Sequence, residues 1–187
     1  MRVSFTLAWS LAAFVLAAVY AVVGRVTRRS VGGLLVDSRE RYSLNHFQLL
    51  TWTLLVLSTM IASFVSSGFD VAALEIPPQL VVLMGISLGS AAASGAVKSL
   101  KDGMPGVTIP HGNPMPSQIL LEEEGRNANK VVSVTKFQSV AFTVVGALVF
   151  TVLTLKAQDY PVVPEQVLWL LGTSQAGYIA GKVPPTA

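Results

Sequence analysis

Two stretches of this chain begin an apolar run in the same way: "FQLLTWT" at residues 47–53 and "FQSVAFT" at residues 137–143. Further along, "PPQLVVLMGIS" at 77–87 resembles "PEQVLWLLGTS" at 164–174. We interpret this repetition as a duplicated pair of helices. Because each pair crosses a membrane twice, both pairs would have the same orientation, as in parallel internal repeats related by an axis along the membrane normal.

The composition is that of a membrane protein. Charged residues make up 12% of the chain and hydrophobic residues 52%, against about 25% charged in a soluble domain. Since a membrane helix needs about 20 mostly apolar residues, the long stretches without charge predict an all-α bundle of five transmembrane helices. The predicted spans are 3–24, 44–67, 78–98, 137–156 and 164–182. The fifth is short and needs Pro164 and Lys182 at its ends, with the lysine reaching toward the headgroups.

The chain then divides into four parts: a membrane anchor with a basic linker (1–42), a first helix pair (43–98), an inner loop (99–132) and a second helix pair (133–187). The first helix is expected to remain uncleaved, because its apolar stretch is longer than that of a signal peptide and an arginine cluster follows it. With the N-terminus outside, all 13 Lys and Arg residues except Arg2 and Lys156 lie inside. The positive-inside rule therefore favours a bacterial inner-membrane protein with a cytoplasmic C-terminus.

In the third and fifth helices small residues recur four positions apart, the spacing typical of helix–helix contacts in membranes. They let helix backbones approach closely, and the predicted packing positions are Gly85, Gly89, Ala93, Gly172, Gly177 and Gly181. Ser87, Ser90 and Ser94 share another face of the third helix, with Lys98 at its end. Two interpretations stay open: both faces pack within one chain, or the serine face lines a pore or an oligomer axis.

Polar side chains are also expected inside the membrane, at Gln48, Thr51, Gln138 and Thr143. An amide buried in lipid must find a partner, so we expect the two glutamines to form hydrogen bonds across the interface between the repeats. Lining an aqueous vestibule is the alternative. The predicted spans carry no Asp, Glu, Lys or Arg near the middle of the membrane, which disfavours an ion-coupled transporter.

The basic residues near the inner ends of the helices are predicted to set the topology or to contact lipid headgroups: Arg25, Arg28, Arg29, Lys98 and Lys101. In the inner loop, residues 117–124 are a possible surface for a cytoplasmic partner: Ile119, Leu120 and Leu121 could dock on the membrane or on that partner, and the three glutamates after them are expected to form a solvated acidic patch. Glu122, Glu123 and Glu124 with His111 are a weaker candidate for a cation site, since adjacent carboxylates point in different directions on a helix. No metal or cofactor is expected, and with no cysteine a thiolate site is impossible.

Several motifs resemble a group of bacterial multipass membrane proteins of uncharacterised function. They are "YSLNHFQLLTWTLLVLS" (42–58), "LVVLMGISLGS" (80–90), "MPSQILLEEEG" (115–125) and "LLGTSQAGYIAGK" (170–182). The resemblance covers residues 36–182 and implies a membrane-embedded helical architecture. This chain has Thr173 and Gln175 where the terminal motif of the group has isoleucine and histidine.

Two functions remain open. The first is a homo-oligomeric channel or pore, lined by the helix at 78–98 or by its counterpart at 164–182. The second is a non-transporting scaffold, anchor or accessory subunit of a larger membrane complex. An enzyme is not expected, because the chain lacks a nucleophile elbow, a phosphate loop and metalloprotease or dinucleotide fingerprints. Nucleic-acid binding is not expected either, since no run of basic residues is interleaved with aromatic ones.

Overall fold

The helices follow from long apolar runs with few helix breakers. The computed structural model describes residues 3–102, 104 and 113–182. It contains five α-helices: α1 (Phe5–Arg28), α2 (Leu44–Ser66), α3 (Pro78–Asp102), α4 (Val134–Ala157) and α5 (Glu165–Ala180). The described residues contain no β-strand, only two isolated β-bridges. The all-helical prediction is confirmed.

The length and composition of the helices suggest a membrane-embedded protein. Four helical segments are long and apolar enough to cross a membrane: Phe5–Arg28, Leu44–Ser66, Val71–Asp102 and Val134–Ala157. The fifth helix, α5, has 16 residues and is therefore shorter than the predicted span at 164–182. Helix α3, in contrast, is longer than its predicted span: it continues to Asp102, four residues past the predicted end of the first helix pair.

Four of the helices surround one apolar core. Helix α2 packs against α3 and α4, α5 packs against α3 and α4, and α1 packs on the outside of α2. Trp52, Leu83, Phe150 and Leu171 are buried together in the middle of this arrangement, and the rings of Trp52 and Phe150 meet edge to face at 6.1 Å between centroids. The core thus forms an apolar layer across the centre of the bundle.

Two loops fold onto the same end of the bundle, which we call the charged end. There α1, α3 and α5 finish and α2 and α4 begin. Before α2, the bridge between Val36 and Tyr42 closes a short hairpin, and before α4 the bridge between Leu121 and Val132 closes another. These hairpins carry acidic side chains to the last turns of α3 and α5, where the lysines lie.

Candidate functional site: a charged cluster and a polar layer

The most concentrated charge in the protein surrounds Glu123, in the hairpin before α4. Its carboxylate lies 2.9 Å from Nζ of Lys136, 3.1 Å from Nζ of Lys182 and 3.5 Å from Nζ of Lys98. The Tyr178 hydroxyl donates a further hydrogen bond to Oε1 at 3.3 Å. One carboxylate therefore joins the end of α3, the start of α4 and the end of α5.

A second carboxylate, Asp37, joins this group from the hairpin before α2. It forms an ion pair with Lys98. Its Oδ1 also accepts hydrogen bonds from the backbone N–H groups of Arg39 at 2.9 Å and Arg41 at 3.2 Å. Burial by itself would raise the pKa of Asp37, but Lys98 and these donors outweigh it and lower the pKa. We call Asp37, Lys98, Glu123, Lys136 and Lys182 the charged cluster.

The charges in the cluster depend on one another. Burial opposes ionisation of Glu123, yet the three lysines hold its pKa well below the usual value. Burial is also the main influence on Lys182, and it lowers the pKa of that ammonium group to about 8 although Glu123 favours the charged form. Glu123 is thus favoured in its ionised form, whereas the pKa of Lys182 is about 8.

A more exposed network lies beside the cluster. Arg39 forms ion pairs of 2.8 Å with Asp102 and with Glu124, and Lys101 forms one of 2.7 Å with Glu124. Burial tends to raise the pKa of Glu124, but its hydrogen bonds to Arg39 and Lys101 lower it overall. The loop before α4 is therefore attached to the end of α3 at two neighbouring glutamates.

These contacts change the interpretation of several basic residues. Lys98 and Lys101 were predicted to set the topology or to contact headgroups, and both pair with carboxylates of this chain. Arg28 donates a hydrogen bond to the backbone carbonyl of Asp37 at 3.1 Å, while Arg25 and Arg29 are exposed. Sequence reasoning missed these pairs because their partners lie far away along the chain.

Two residues of the predicted partner surface at 117–124 are turned toward the bundle. Gln118 is 2% exposed and accepts hydrogen bonds from the backbone N–H groups of Tyr42 and Met115. Only 12% of the Glu123 side chain is exposed. The prediction of a solvated acidic patch is therefore wrong for Glu123, since that carboxylate is more favourable beside three lysines than in water.

A polar layer lies between the charged end and the apolar core. The Gln48 amide donates a hydrogen bond to Oγ1 of Thr143 at 2.8 Å, and the hydroxyls of Ser139 and Ser174 lie 3.1 Å apart. Gln48 is 1% exposed. For this glutamine, the structure contains the expected hydrogen bond between the two proposed helix pairs.

The other predicted polar positions behave differently. Gln138 is exposed on the outer surface of α4, and its side chain makes no hydrogen bond to a residue that the structure describes. Thr51 donates to the backbone carbonyl of Phe47 at 2.7 Å, within its own helix. The expectation that both glutamines are buried alike is therefore wrong within one chain, because α2 and α4 turn different faces toward each other.

The serine face of α3 lies inside the chain and the glycine face lies on the outer surface, which is the opposite of what the pore interpretation requires. Ser87, Ser90 and Ser94 are all buried inside the chain, and Ser94 Oγ accepts a hydrogen bond from Lys182 at 2.8 Å. Gly85 and Gly89 lie on the outer surface, and no described atom outside their helix would meet a Cβ placed on either. The serines fill the interior, while the glycines face away from it.

The remaining small residues also differ in whether they contact another helix of the chain. A Cβ on Gly172 would lie 3.6 Å from Cδ1 of Ile86, so this glycine does pack between α3 and α5. Nothing described meets Gly177, and Gly181 is close only to the backbone of its own helix. Ala93 is half-buried. The packing prediction thus holds within the chain for Gly172 but not for Gly85, Gly89 or Gly177.

Two cavities lie at opposite ends of the bundle. A cavity of about 90 Å³ lies beside Glu123 and Lys182, and one of about 570 Å³ opens at the opposite end, beside Ser63 and Asp159. No group of three His, Cys, Asp or Glu side chains suited to a metal ion occurs among the described residues. His111, which was part of the candidate cation site, lies outside them.

Comparison with known proteins gives no family, since the chain matches no family model, no curated protein and no solved structure. The resemblance noted above therefore depends on the quoted motifs alone. Any function must be argued from the geometry of the bundle and its charged end.

Proposed function

We propose that this chain is a non-catalytic multipass protein of the bacterial inner membrane that acts as a homo-oligomeric scaffold. The observation that favours a scaffold over a pore is the burial of the serine face of α3 inside the chain. With the apolar layer of Trp52, Leu83, Phe150 and Leu171 beyond it, the interior is packed as a structural core. The charged cluster fixes the ends of α3, α4 and α5 to one loop, as a rigid platform requires.

We include α5 as a fifth crossing. It begins beside the start of α3, where Glu165 and Pro78 line one groove, and Lys182 just after it reaches Ser94 of α3. The 16 residues of α5 rise about 24 Å at 1.5 Å each. The loop residues before it extend this length toward that of the bilayer core, and Lys182, which was expected to reach toward the headgroups, instead pairs with Glu123.

The proposal of a duplicated helix pair has support in the hydrogen bonds around the helix starts. Leu35 O accepts from Ser43 N at 2.7 Å before α2, and Leu120 O accepts from Ser133 N at 2.9 Å before α4. At the second helix of each pair, Pro77 O accepts from Leu80 N and Pro164 O from Val167 N, both at 2.9 Å. These equivalent bonds follow the sequence repetition.

A channel is the second candidate, and one observation favours it. Gln138 and Thr173 are polar and exposed on the outer surface of the helices. Since lipid offers no hydrogen bond to an amide, a path formed between copies of the chain would give these groups a polar environment. In that arrangement the pore lies outside each bundle and the buried serines have no part in it.

Three measurements test the proposal. The mass of the particle in detergent and in nanodiscs should exceed that of one chain, and bilayers containing it should carry no current above background. Reporter tags should place Met1 outside and Ala187 in the cytoplasm. A monomeric particle would contradict the assembly, and both tags on one side would contradict five crossings. A reproducible single-channel current would favour the channel.

A further inference from the structure

An apolar crevice of about 230 Å³ opens between α1, the linker that follows it and the first turns of α2. Ala17 and Ala21 contribute to its α1 side, and Phe47, Leu50 and Leu54 contribute to its α2 side. Both helices are long and apolar enough to cross a membrane. In a membrane such a crevice is open to lipid, and an acyl chain matches its apolar lining.

Basic side chains lie at the end of this crevice that is nearest the charged end. Arg25 and Arg28 lie in the last turn of α1 and Arg29 directly follows it, and all three are exposed. A Cβ on Gly33 would lie 2.7 Å from Cβ of Arg28, and both neighbours of Gly33 in the chain line the crevice. Arg29 is two residues from the lining residue Val31, a Cα–Cα separation of at most about 7.6 Å. Arg28 and Arg29 therefore lie beside the mouth of the crevice, with Arg25 one helical turn before Arg29.

The charge of these arginines is not neutralised by the part of the chain that the structure describes. None of the three forms an ion pair there, whereas Arg39 and the lysines of the charged cluster all do. Arg28 donates a hydrogen bond to the carbonyl of Asp37, and the remaining guanidinium N–H groups suit the oxygens of a phosphate. Basic pockets between membrane helices on the cytoplasmic side are typical sites for anionic headgroups.

One polar group inside the crevice also lacks a partner. The Tyr20 side chain lines the crevice, and its hydroxyl oxygen is buried without a hydrogen bond to a described residue. A hydroxyl without a partner is unfavourable in hydrocarbon. The ester groups of a phospholipid, which lie between the acyl chains and the phosphate, are acceptors for such a donor.

We propose that the crevice binds one anionic phospholipid, with an acyl chain between α1 and α2 and the phosphate on Arg25, Arg28 and Arg29. An ester carbonyl of the lipid accepts the hydrogen bond of Tyr20. With the charged end in the cytoplasm, the lipid belongs to the inner leaflet of the membrane. The site requires that the helices lie in a membrane but not that chains assemble, so its test is independent of the proposed oligomer.

Native mass spectrometry of the full-length protein tests the site, because it counts bound lipids per chain whatever the size of the particle. We expect phosphatidylglycerol to occupy one tight site per chain, and phosphatidylcholine with the same acyl chains to bind at least about 5-fold more weakly. Glycerol 3-phosphate, which has the phosphate without the chains, should not bind at these concentrations. Equal affinities for the two lipids would overturn the role of the arginines, and tight binding of glycerol 3-phosphate would show a site for free phosphate instead.

A charge-matched pair of double variants locates the phosphate. Arg25→Gln with Arg29→Gln should weaken the binding of phosphatidylglycerol about 30-fold, since each basic residue near an anionic headgroup contributes about 5-fold. Arg126→Gln with Lys130→Gln removes the same charge from exposed positions of the hairpin before α4, which does not line the crevice. At physiological salt this control should change the affinity less than about 2-fold. Equal losses in both double variants would mean that only net charge matters and would overturn the assignment.

A pair of neighbouring alanines locates the acyl chain. Ala17→Leu places a larger side chain in the crevice and should weaken the binding of phosphatidylglycerol at least about 5-fold. Ala18→Leu makes the same change at a residue that does not line the crevice and should leave the affinity unchanged. Both positions are exposed, so both variants should melt like the wild type without lipid. Equal affinities of the two variants would show that the chain of the lipid lies elsewhere.

Discussion

The charged cluster gives the most decisive test of how the bundle is held together. Changing Glu123 to glutamine keeps the size of the side chain but removes the charge that Lys136, Lys182 and Lys98 share. Removing one member of a buried ion pair costs about 3–5 kcal/mol, because the remaining charge is left without compensation. The Glu123 side chain is 12% exposed, so solvent screens the lysines only weakly.

The expected loss lies at the lower end of that range, about 3 kcal/mol. Lys98 keeps its ion pair with Asp37, and Lys136 keeps a hydrogen bond of 2.8 Å to the carbonyl of Leu121, whereas Lys182 loses its nearest carboxylate. For a chain of this length 1 kcal/mol corresponds to about 2–4 °C in the melting temperature. We therefore expect the melting temperature of Glu123→Gln to fall by roughly 6–12 °C.

The assay is thermal unfolding of the purified protein in one detergent, followed by circular dichroism at pH 7. Glu122→Gln is the matched control, because it makes the same change one residue away at a carboxylate with no ion pair to a described residue. A melting temperature of Glu123→Gln equal to that of the control would refute the reasoning. The lowered pKa of Glu123 also means that its stabilisation is present above the unfolded pKa and is lost as the pH falls through the lower folded one.

Three further predictions follow from the burial and the geometry. In monomeric preparations, Gln48→Leu should lower the free energy of unfolding by about 0.6–1.7 kcal/mol, while Gln138→Leu, which is exposed, should leave it unchanged; equal losses would contradict the asymmetry. The folded pKa of Lys182 is lowered to about 8 from 10.5. The unfolded chain therefore binds more protons between these values, and stability should rise with pH across that window and do so less in Lys182→Met; parallel pH profiles would argue against this titration. A Cβ on Gly24 would lie 2.9 Å from three backbone atoms, so Gly24→Ala should cost about 1–3 kcal/mol and Gly89→Ala, at an open position, almost nothing; calorimetry would detect the difference, and similar melting curves would refute it.

The polar positions show where sequence reasoning stops. Gln48 and Gln138 occupy equivalent places in two similar motifs, and the sequence alone gave no reason to treat them differently. The structure separates them, because α2 turns its glutamine toward α4 while α4 turns its own away. The same limit applied to α3, where the spacing defined a serine face and a glycine face but not which of them lies inside.

The amino-acid sequence by itself determined the all-helical class and the positions of the helices to within a few residues, because apolar length and the absence of charge are local properties. It also defined which residues share a helix face, since that follows from the helical period alone. Only the tertiary structure decided which face meets which neighbour. The three lysines around Glu123 come from the ends of three different helices, and a cluster of that kind depends on how the helices pack, which no local pattern of residues specifies.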